Sequence, residues 1–476
     1  MKLIILNAGI GSRLGNITKY KPKCLLNLIN GYKTLLENQL LIFKNFEILI
    51  ILGYKCDMII DIIINYKNVK YIINNKYLET NNMYSVNLAK NFIGDDSFFV
   101  LNGDIYIEED ILDVIKNMDL NYNSIFTDKY KFNEENMKVK VKEEYIIDID
   151  KKIKIEESAG LSMDFYYIKD TQIYFDEINK YLKNEKKHWA ELILKKMMKF
   201  RKFKPIYNNV FWYEIDTCDD YINYINKKNG FKKYDNYFLD IDGNLLLNNK
   251  LINNADIFLK NIDNFKLLTN NSSKTKEMYQ TIFNNYNINI NLNNIINSID
   301  STIIYLNKKK IKNIYLFSTN KVKEIFQNNN FNILTLENID NIELVVITYN
   351  TEYNYNDIIN LMTIIKKKEY IVTHMDQICP YKDFFIPDIG CLADNIYNCL
   401  KKNPLIICGK PNINLQYNGT AIIIGDNLDT DYKQSINSNT DFCLTLTGRT
   451  KIEDLENKIG NLKKINVVRT INDFKL

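Results

Sequence analysis

Histidine is nearly missing from this sequence: His188 and His374 are the only two in 476 residues. Chemistry that needs an imidazole base therefore has almost nowhere to sit, and neither histidine is expected to take a chemical part. The eight cysteines are scattered without a C-x-x-C pair, which argues against zinc sites and disulfides and for reduced core thiols. Blocks of like charge are absent too. Lys and Arg (62) are interspersed with Asp and Glu (58) for a formal net charge of +4, a balance that gives nucleic-acid binding no support. No apolar run approaches the roughly 20 residues of a spanning helix, and the opening MKLIILNAG reaches a glycine-rich loop too early for a signal peptide. A cytoplasmic protein without nucleic-acid or membrane partners is expected, with its oligomeric state open.

What is present is enough apolar chain for two cores. Hydrophobic residues make up 46% and charged residues 25%, which is ordinary globular usage, so the Asn-rich stretches read as compositional bias and not as disorder. Short apolar runs of strand length recur: KLIIL (2–6), EILIIL (47–52) and SFFVL (97–101), then YFLDI (237–241), FKLLT (265–269), PLIIC (404–408), AIIIG (421–425) and FCLTL (442–446). Runs apolar on both faces belong in a mostly parallel sheet covered by helices. The polar stretch 226–236 separates the two series and places a boundary near Lys233, giving domains of 1–232 and 236–476. About 135 residues lie between FKLLT and PLIIC, with strand signals of their own at 314–318 and 344–349. That length is an inserted domain, a cap of about 285–400, and not a loop.

Directly after the first run comes Asn7-Ala8-Gly9-Ile10-Gly11-Ser12-Arg13-Leu14-Gly15, followed by Lys21-Pro22-Lys23. Glycines let backbone N–H groups approach phosphate oxygens, and Arg13 and Lys23 add positive charge. Neither the Walker spacing nor G-x-G-x-x-G is present. Leu101-Asn102-Gly103-Asp104 ends another strand, where ligands bind in open α/β sheets, and Gly103 is expected to leave room for a nucleotide beside Asp104. Strand alternation puts Trp212, Glu214 and Asp216 of WYEIDT on one face. Two aspartates, Asp104 and Asp216, suffice for one Mg²⁺ that keeps waters and phosphate oxygens.

These motifs, with YLETNNMYSVNL (77–88), VKV (139–141) and KKI (151–153), make residues 1–225 resemble the cytidylyltransferases similar to choline-phosphate cytidylyltransferase, within the nucleotide-sugar pyrophosphorylase group. The resemblance implies that Ala8, Gly9, Gly11, Ser12, Arg13 and Lys23 hold the triphosphate of CTP, with Arg13 and Lys23 catalytic. It also implies that Asn82, Ser85 and Asp104 lie by the nucleotide and that Asp104 and Asp216 hold Mg²⁺. Asn7 departs from the group, which more often has Ala there. The implied reaction is in-line attack by an acceptor phosphate or phosphonate on the α-phosphorus. Such an acceptor is already ionised, so no general base is needed. A quaternary amine on the acceptor would favour an aromatic cage, with Tyr166, Tyr167, Trp189, Trp212 and Tyr213 as candidates; Lys154 and Glu156 are either acceptor contacts or surface.

The second half carries four polar clusters, each read at the carboxyl end of an apolar run: Asp240-Ile241-Asp242-Gly243, Thr269-Asn270-Asn271-Ser272-Ser273, Gly409-Lys410-Pro411, and Gly425 to Asp431. Four such clusters are expected to converge on one sheet edge. Residues 236–476 resemble the haloacid-dehalogenase superfamily, in its nitrophenylphosphatase-like branch, and Ile386-Pro387-Asp388-Ile389-Gly390 resembles the return from the cap. The resemblance implies Asp240 as nucleophile, Asp242 as general acid and base, and Thr269, Asn270 and Lys410 on the phosphoryl group. Asp240, Asp242 and Asp426 would hold Mg²⁺, with Asp431 nearby. Asn244 departs from the usual Thr or small apolar residue.

The expected fold is α/β with two doubly wound domains: a nucleotidyltransferase Rossmann-like domain, then a haloacid-dehalogenase Rossmann-like core with a large α/β cap. The expected function is bifunctional, CMP transfer from CTP to a phosphorylated small molecule such as phosphocholine, plus phosphate-ester hydrolysis. The alternatives are a sugar-1-phosphate nucleotidyltransferase using UTP or dTTP with an attached phosphatase, and a regulatory protein with a non-catalytic phosphatase-like module.

Overall fold

The computed structural model describes residues 1–29, 31, 33–131, 136–183, 187–381 and 384–475. It divides into two compact units, Met1–Tyr224 with Ile452–Lys463, and Ile225–Lys451 with Lys464–Leu476.

The first unit is built on a mixed sheet with the order Phe203–Tyr207, Asn123–Asp128, Gly160–Ile168, Phe98–Asn102, Lys2–Asn7, Glu47–Leu52, Val69–Ile73. Lys2–Asn7 is parallel to both its neighbours, while Gly160–Ile168 runs antiparallel to Phe98–Asn102, Asn123–Asp128 and Lys138–Lys142. Alternation explains the unbroken apolar runs. Leu3, Ile5, Ile48, Ile50, Phe99 and Leu101 face one core, whereas Ile4, Leu49, Ile51, Phe98 and Val100 face the other, so every position is buried. Helices begin where sequence supplies a cap: Thr34 and Glu37 form a reciprocal box at the start of Leu35–Ile42. Leu6 sits opposite Asn102, so the two central strands end side by side and deliver the glycine-rich loop and Asp104 to the same edge.

In the second unit a six-stranded, fully parallel sheet has the order Ile295–Asn297, Phe265–Thr269, Asn236–Asp240, Ala421–Gly425, Asp441–Thr445, Ile465–Val468. Inserted into it is a second parallel sheet, Asn332–Ile333, Asn313–Phe317, Leu344–Ile347, Tyr370–Val372, with an apolar core on each face.

One strand expectation fails. The stretch 404–408 does not join the core sheet; it lies along Tyr370–Val372 of the inserted sheet. Leu405 N donates to the Tyr370 carbonyl (2.8 Å), Val372 N to Ile406 (3.2 Å) and Cys408 N to Val372 (3.0 Å). The place beside Asn236–Asp240 is filled by Ala421–Gly425, and Pro404 has no N–H with which to open a core ladder. Lys410 therefore reaches the core edge from the inserted sheet.

Candidate active sites

In the first unit a cleft of about 360 Å³ is lined by the loop (Gly9, Gly11, Ser12, Arg13), by Lys23, and by Asn7, Asn81, Gly103, Asp104 and Asp216. Gly11 takes a left-handed φ of 70° to turn the chain into Ser12–Leu14. Lys23 Nζ donates to Asp104 Oδ2 (2.8 Å) and also to Asp216, which Arg13 pairs as well. Burial works against the Lys23 charge, but Asp104 and Asp216 outweigh it and hold the ammonium above the ordinary lysine range. Asp216 is likewise opposed by burial, yet Lys23 and Arg13 keep its carboxyl below the usual value.

Sequence reading named two carboxylates here; the fold assembles a third. Asp104, Glu214 and Asp216 bring oxygens within 4.8 Å of one another. Burial, with Asp104 and Asp216 alongside, pushes the Glu214 carboxyl up to about 7. Asp104 Oδ1 is buried with no hydrogen-bond partner among the described residues. Three hard oxygen donors, one of them unpartnered, fit a divalent cation. The signal for Glu214 was its place two residues before Asp216, although the strand itself ends at Glu214. Behind this group stand Asp164 and Glu191. Burial, then Glu214 and Glu191, drive the Asp164 carboxyl well above its ordinary range, and burial raises Glu191 as well.

Other expected residues have partners within the protein. Ala8 passes its carbonyl to Tyr54 N (3.2 Å). Asn82 Oδ1 accepts from Ala190 N (2.8 Å) and Ser85 Oγ from Asn74 (3.2 Å), so both side chains brace the wall, and Asn81 is the residue of that helix start that lines the cleft. Of the aromatic-cage candidates, Trp189 is 47% exposed. Tyr166, Tyr167 and Trp212 are core residues, and Trp212 Nε1 donates to Asp128 (2.7 Å). Lys154 and Glu156 are exposed.

The space at Gly103 is already filled by this chain. A Cβ there would lie 1.6 Å from Asn7 Oδ1 and 2.7 Å from the Leu6 carbonyl oxygen. Gly103→Ala is expected to cost about 1–3 kcal/mol through overpacking, read as a lower melting temperature. Adding Asn7→Ala should restore only part, because the Leu6 carbonyl remains. An unchanged melting temperature in the single variant would contradict this packing.

In the second unit a cavity of about 80 Å³ is lined by Asp240, Asp242, Thr269, Asn270, Lys410, Asp426 and Asp431, together with His374, Asp376, Asp388 and Arg449. Lys410, 3% exposed, donates to Asp240 and to Asp431 Oδ1 (2.6 Å). Burial opposes the Lys410 charge and the two aspartates sustain it. Asp240, Asp426 and Asp431 bring oxygens within 4.8 Å of one another, and Asp240 Oδ2 has no partner among the described residues. This set, too, fits a divalent cation. Burial raises Asp240 although Lys410 pulls it down; burial, then Asp431, raises Asp426 to about 7.

Asp242, expected among the metal ligands, stands outside that group, and Asp431 completes it. The Asp242 carboxylate is turned instead toward Tyr279, which donates to it, and Lys274 Nζ at 3.5 Å. Asn270, expected on the phosphoryl group, uses its amide to fix Lys410: Oδ1 accepts from Lys410 N (2.7 Å) while Nδ2 donates to Asp376 Oδ2 (3.1 Å). Thr269 Oγ1 accepts from Asn271 N (3.0 Å). Asn244 has a structural explanation. Fully buried, it donates to the Asp240 and Ile424 carbonyls (2.9 and 3.1 Å) and accepts from Thr445 (3.0 Å), tying three strand ends together beneath the nucleophile candidate.

The insertion's return segment brings in His374, for which no chemical part was expected, and Asp388, noted in sequence only as part of that return. His374, 1% exposed, sits 3.2 Å from Asp376 Oδ2 and 3.7 Å from Asp388 Oδ1. Burial opposes its protonation, but Asp388 and Asp376 raise its pKa above the usual histidine value. Burial also opposes the shift at Asp376, which His374 nevertheless brings down to about 2; Asp388 is raised by burial to about 6. His188 lies elsewhere, its ring edge-on to Tyr181 at 5.5 Å.

Two glycine-braced sheet edges, each with three clustered carboxylates and a lysine paired to two of them, define an enzyme built to handle phosphate groups twice. Residues 2–229 match the nucleotidyl transferase family, residues 237–332 the haloacid dehalogenase-like hydrolases and 407–474 the HAD-hydrolase-like family. The chain is a fusion of a nucleotidyltransferase with a haloacid dehalogenase-like hydrolase. It is 28% identical over 240 residues to choline-phosphate cytidylyltransferase of Haemophilus influenzae, covering 48% of this chain and 97% of that protein. It is 25% identical over 243 residues to acid sugar phosphatase of Staphylococcus haemolyticus, covering 48% and 90%. The bifunctional protein GlmU of Methanococcus vannielii is 35% identical over 117 residues, which is 24% of this chain but only 27% of that relative's length. Among the described residues no helix is long and apolar enough to cross a membrane.

Proposed function

We propose that the chain transfers CMP from CTP to a small phosphorylated acceptor through residues 1–232, and hydrolyses a phosphate monoester through residues 236–476, whose cap spans about 285–400. The observation that carries the first half is the meeting of the glycine-rich loop, Arg13 and Lys23 with the Asp104, Glu214 and Asp216 oxygens in one cleft. The acceptor's phosphate or phosphonate oxygen attacks the α-phosphorus, the P–O bond to the β-phosphate breaks and pyrophosphate leaves. Arg13 and Lys23 offset charge on the triphosphate, and the loop's backbone N–H groups orient it. Mg²⁺ held by Asp104 and Asp216, with Glu214, would supply charge neutralisation at the transferring phosphoryl group.

In the second half Asp240 attacks the substrate phosphorus while Asp242 protonates the departing alkoxide; water then cleaves the aspartyl-phosphate as Asp242 takes back a proton. Lys410 offsets the repulsion between nucleophile and phosphate. Asp240, Asp426 and Asp431 would hold Mg²⁺, which supplies further neutralisation. A cytoplasmic setting suits both reactions.

CTP and a phosphocholine-like acceptor are favoured because the cytidylyltransferase match spans 97% of that relative. The carboxyls of Asp164, half-buried, and Glu191, buried, both raised and drawn back to the charged form by a cation alongside, offer a cationic head group counter-charge. The GlmU match favours a second reading, a sugar 1-phosphate acceptor with UTP or dTTP. A matrix of CTP, UTP, dTTP, ATP and GTP against phosphocholine, glucose 1-phosphate and N-acetylglucosamine 1-phosphate, with Mg²⁺, separates them by pyrophosphate release and product mass. The expected outcome is a CDP-linked product from phosphocholine at least about tenfold faster than any other pair, a margin of about 1.4 kcal/mol in transition-state binding. A UDP- or dTDP-sugar as the fastest product selects the second reading.

A further inference from the structure

Asn7 ends the central strand of the first unit, directly before the glycine-rich loop. Its side chain is 7% exposed and lines the cleft. Its Oδ1 lies against Gly103, whose missing Cβ makes the room, yet Nδ2 has no hydrogen-bond partner among the described residues. A buried amide donor left unmade costs stability, and an alanine at this position would carry no such cost. Asn7 thus holds a neutral donor, without a partner among the described residues, in the same cleft lining as the glycine-rich loop, Asp104 and Asp216. Neighbouring carboxylate charge makes an anionic residue there unsuitable for a polyphosphate ligand, whereas an amide donates without adding charge.

We propose that Asn7 is a nucleotide-positioning residue of the transferase, donating from Nδ2 to an oxygen acceptor of the bound nucleoside triphosphate. The inference rests on the first cleft being the site of nucleotidyl transfer. It has a consequence that a packing role does not share. A side chain that serves packing lowers the melting temperature when truncated; a donor satisfied only by ligand lowers affinity when truncated and leaves the free protein as stable or more so.

The test is calorimetric titration of the full chain and its Asn7→Ala and Asn7→Asp variants with CTP and Mg²⁺, alongside steady-state kinetics and melting curves without ligand. Asn7→Ala is expected to weaken CTP binding about tenfold, within the range for a hydrogen bond that satisfies a buried donor. The loss should fall on KM far more than on kcat, with the ligand-free melting temperature not lowered. Asn7→Asp keeps the shape but replaces donor by acceptor, and is expected to lose more. Repeating the titration with 2′-deoxy-CTP narrows the oxygen: if the variant's penalty disappears, it is the ribose 2′-hydroxyl, and if the penalty persists, it is another oxygen of the sugar, the phosphates or the base. Binding by Asn7→Ala within twofold of the wild type, a shift confined to the acceptor's KM, or a lowered melting temperature with kcat and affinity falling together, each overturns the role of Asn7 alone. Failure of the wild-type chain to bind any triphosphate in the nucleotide matrix overturns the transferase reading itself and this role with it.

Discussion

Asp240→Asn is expected to lower phosphate-ester hydrolysis by at least about 10⁴-fold, the scale on which removing a nucleophile acts, while nucleotidyl transfer continues at the wild-type rate. The carboxylate is 5% exposed, is paired by Lys410 and leaves Oδ2 without a partner among the described residues, so its geometry serves attack and not surface charge. An amide keeps the size and removes the nucleophilic charge; retained melting behaviour would show that the loss is chemical. Hydrolysis of a generic aryl phosphate supplies the measurement, and residual activity above about a tenth of wild type would move the nucleophile elsewhere. The same variant addresses why one chain carries both reactions. A phosphatase acting on the transferase's acceptor would consume its own substrate, so hydrolysis directed at a different metabolite is expected. CDP-linked product should then form equally fast in the wild type and in the Asp240→Asn variant; faster formation in the variant would show that the acceptor is being hydrolysed.

Loss of transfer in Asp104→Asn and Asp216→Asn, by roughly 10³-fold each, is the second large expectation, comparable with removing a main electrostatic contact to a transition state. Both carboxylates meet Lys23, so each substitution removes a donor for a divalent cation and also one of the lysine's two ionic partners. Asp216 is held below the usual carboxylate range against the pull of burial, which is what a permanently ionised ligand requires. Raising Mg²⁺ should recover part of the rate if the defect is in metal affinity. Phosphatase activity should not change. Near-normal transfer by either variant at ordinary Mg²⁺ would remove that aspartate from the site.

The parts of this molecule that were legible in sequence share a physical basis. A strand apolar on both faces needs cover on both, so Leu3 to Leu6 and Ile48 to Leu52 announce a doubly wound sheet. Polar residues at or just past the ends of such strands, Asp240, Asp104 and Asp426, then fall at the edge where ligands bind. Where the reading failed, spatial bookkeeping replaces linear pattern. PLIIC has the apolar pattern of a core strand, but which sheet it joins is decided by the partner that offers free hydrogen bonds, and Tyr370–Val372 does so. His374 and Asp388 both lie on the insertion's return, whereas Arg449 follows the core strand Asp441–Thr445, and they line one cavity only in the folded chain. Glu214 was visible as a neighbour of Asp216, but its role as third oxygen donor depends on how the chain turns after the strand. Asn244 and Asn7 were both legible only as departures; the hydrogen-bond inventory distinguishes them, one saturated and the other with its donor unmade.

The path of residues 404–410 restricts how such proteins can be recombined. Because the extended segment before Lys410 is hydrogen-bonded to Tyr370–Val372, the lysine beside Asp240 belongs by its backbone to the inserted sheet, and by its side chain to the core. A chimera that exchanged insertions between relatives at a junction just before Gly409 would pair a foreign edge strand with a native approach to the lysine, and would misplace the ammonium even with every motif intact. A junction after Pro411 would carry lysine and edge together. Inheritance of this insertion as a block, lysine included, is the form of exchange that the fold permits.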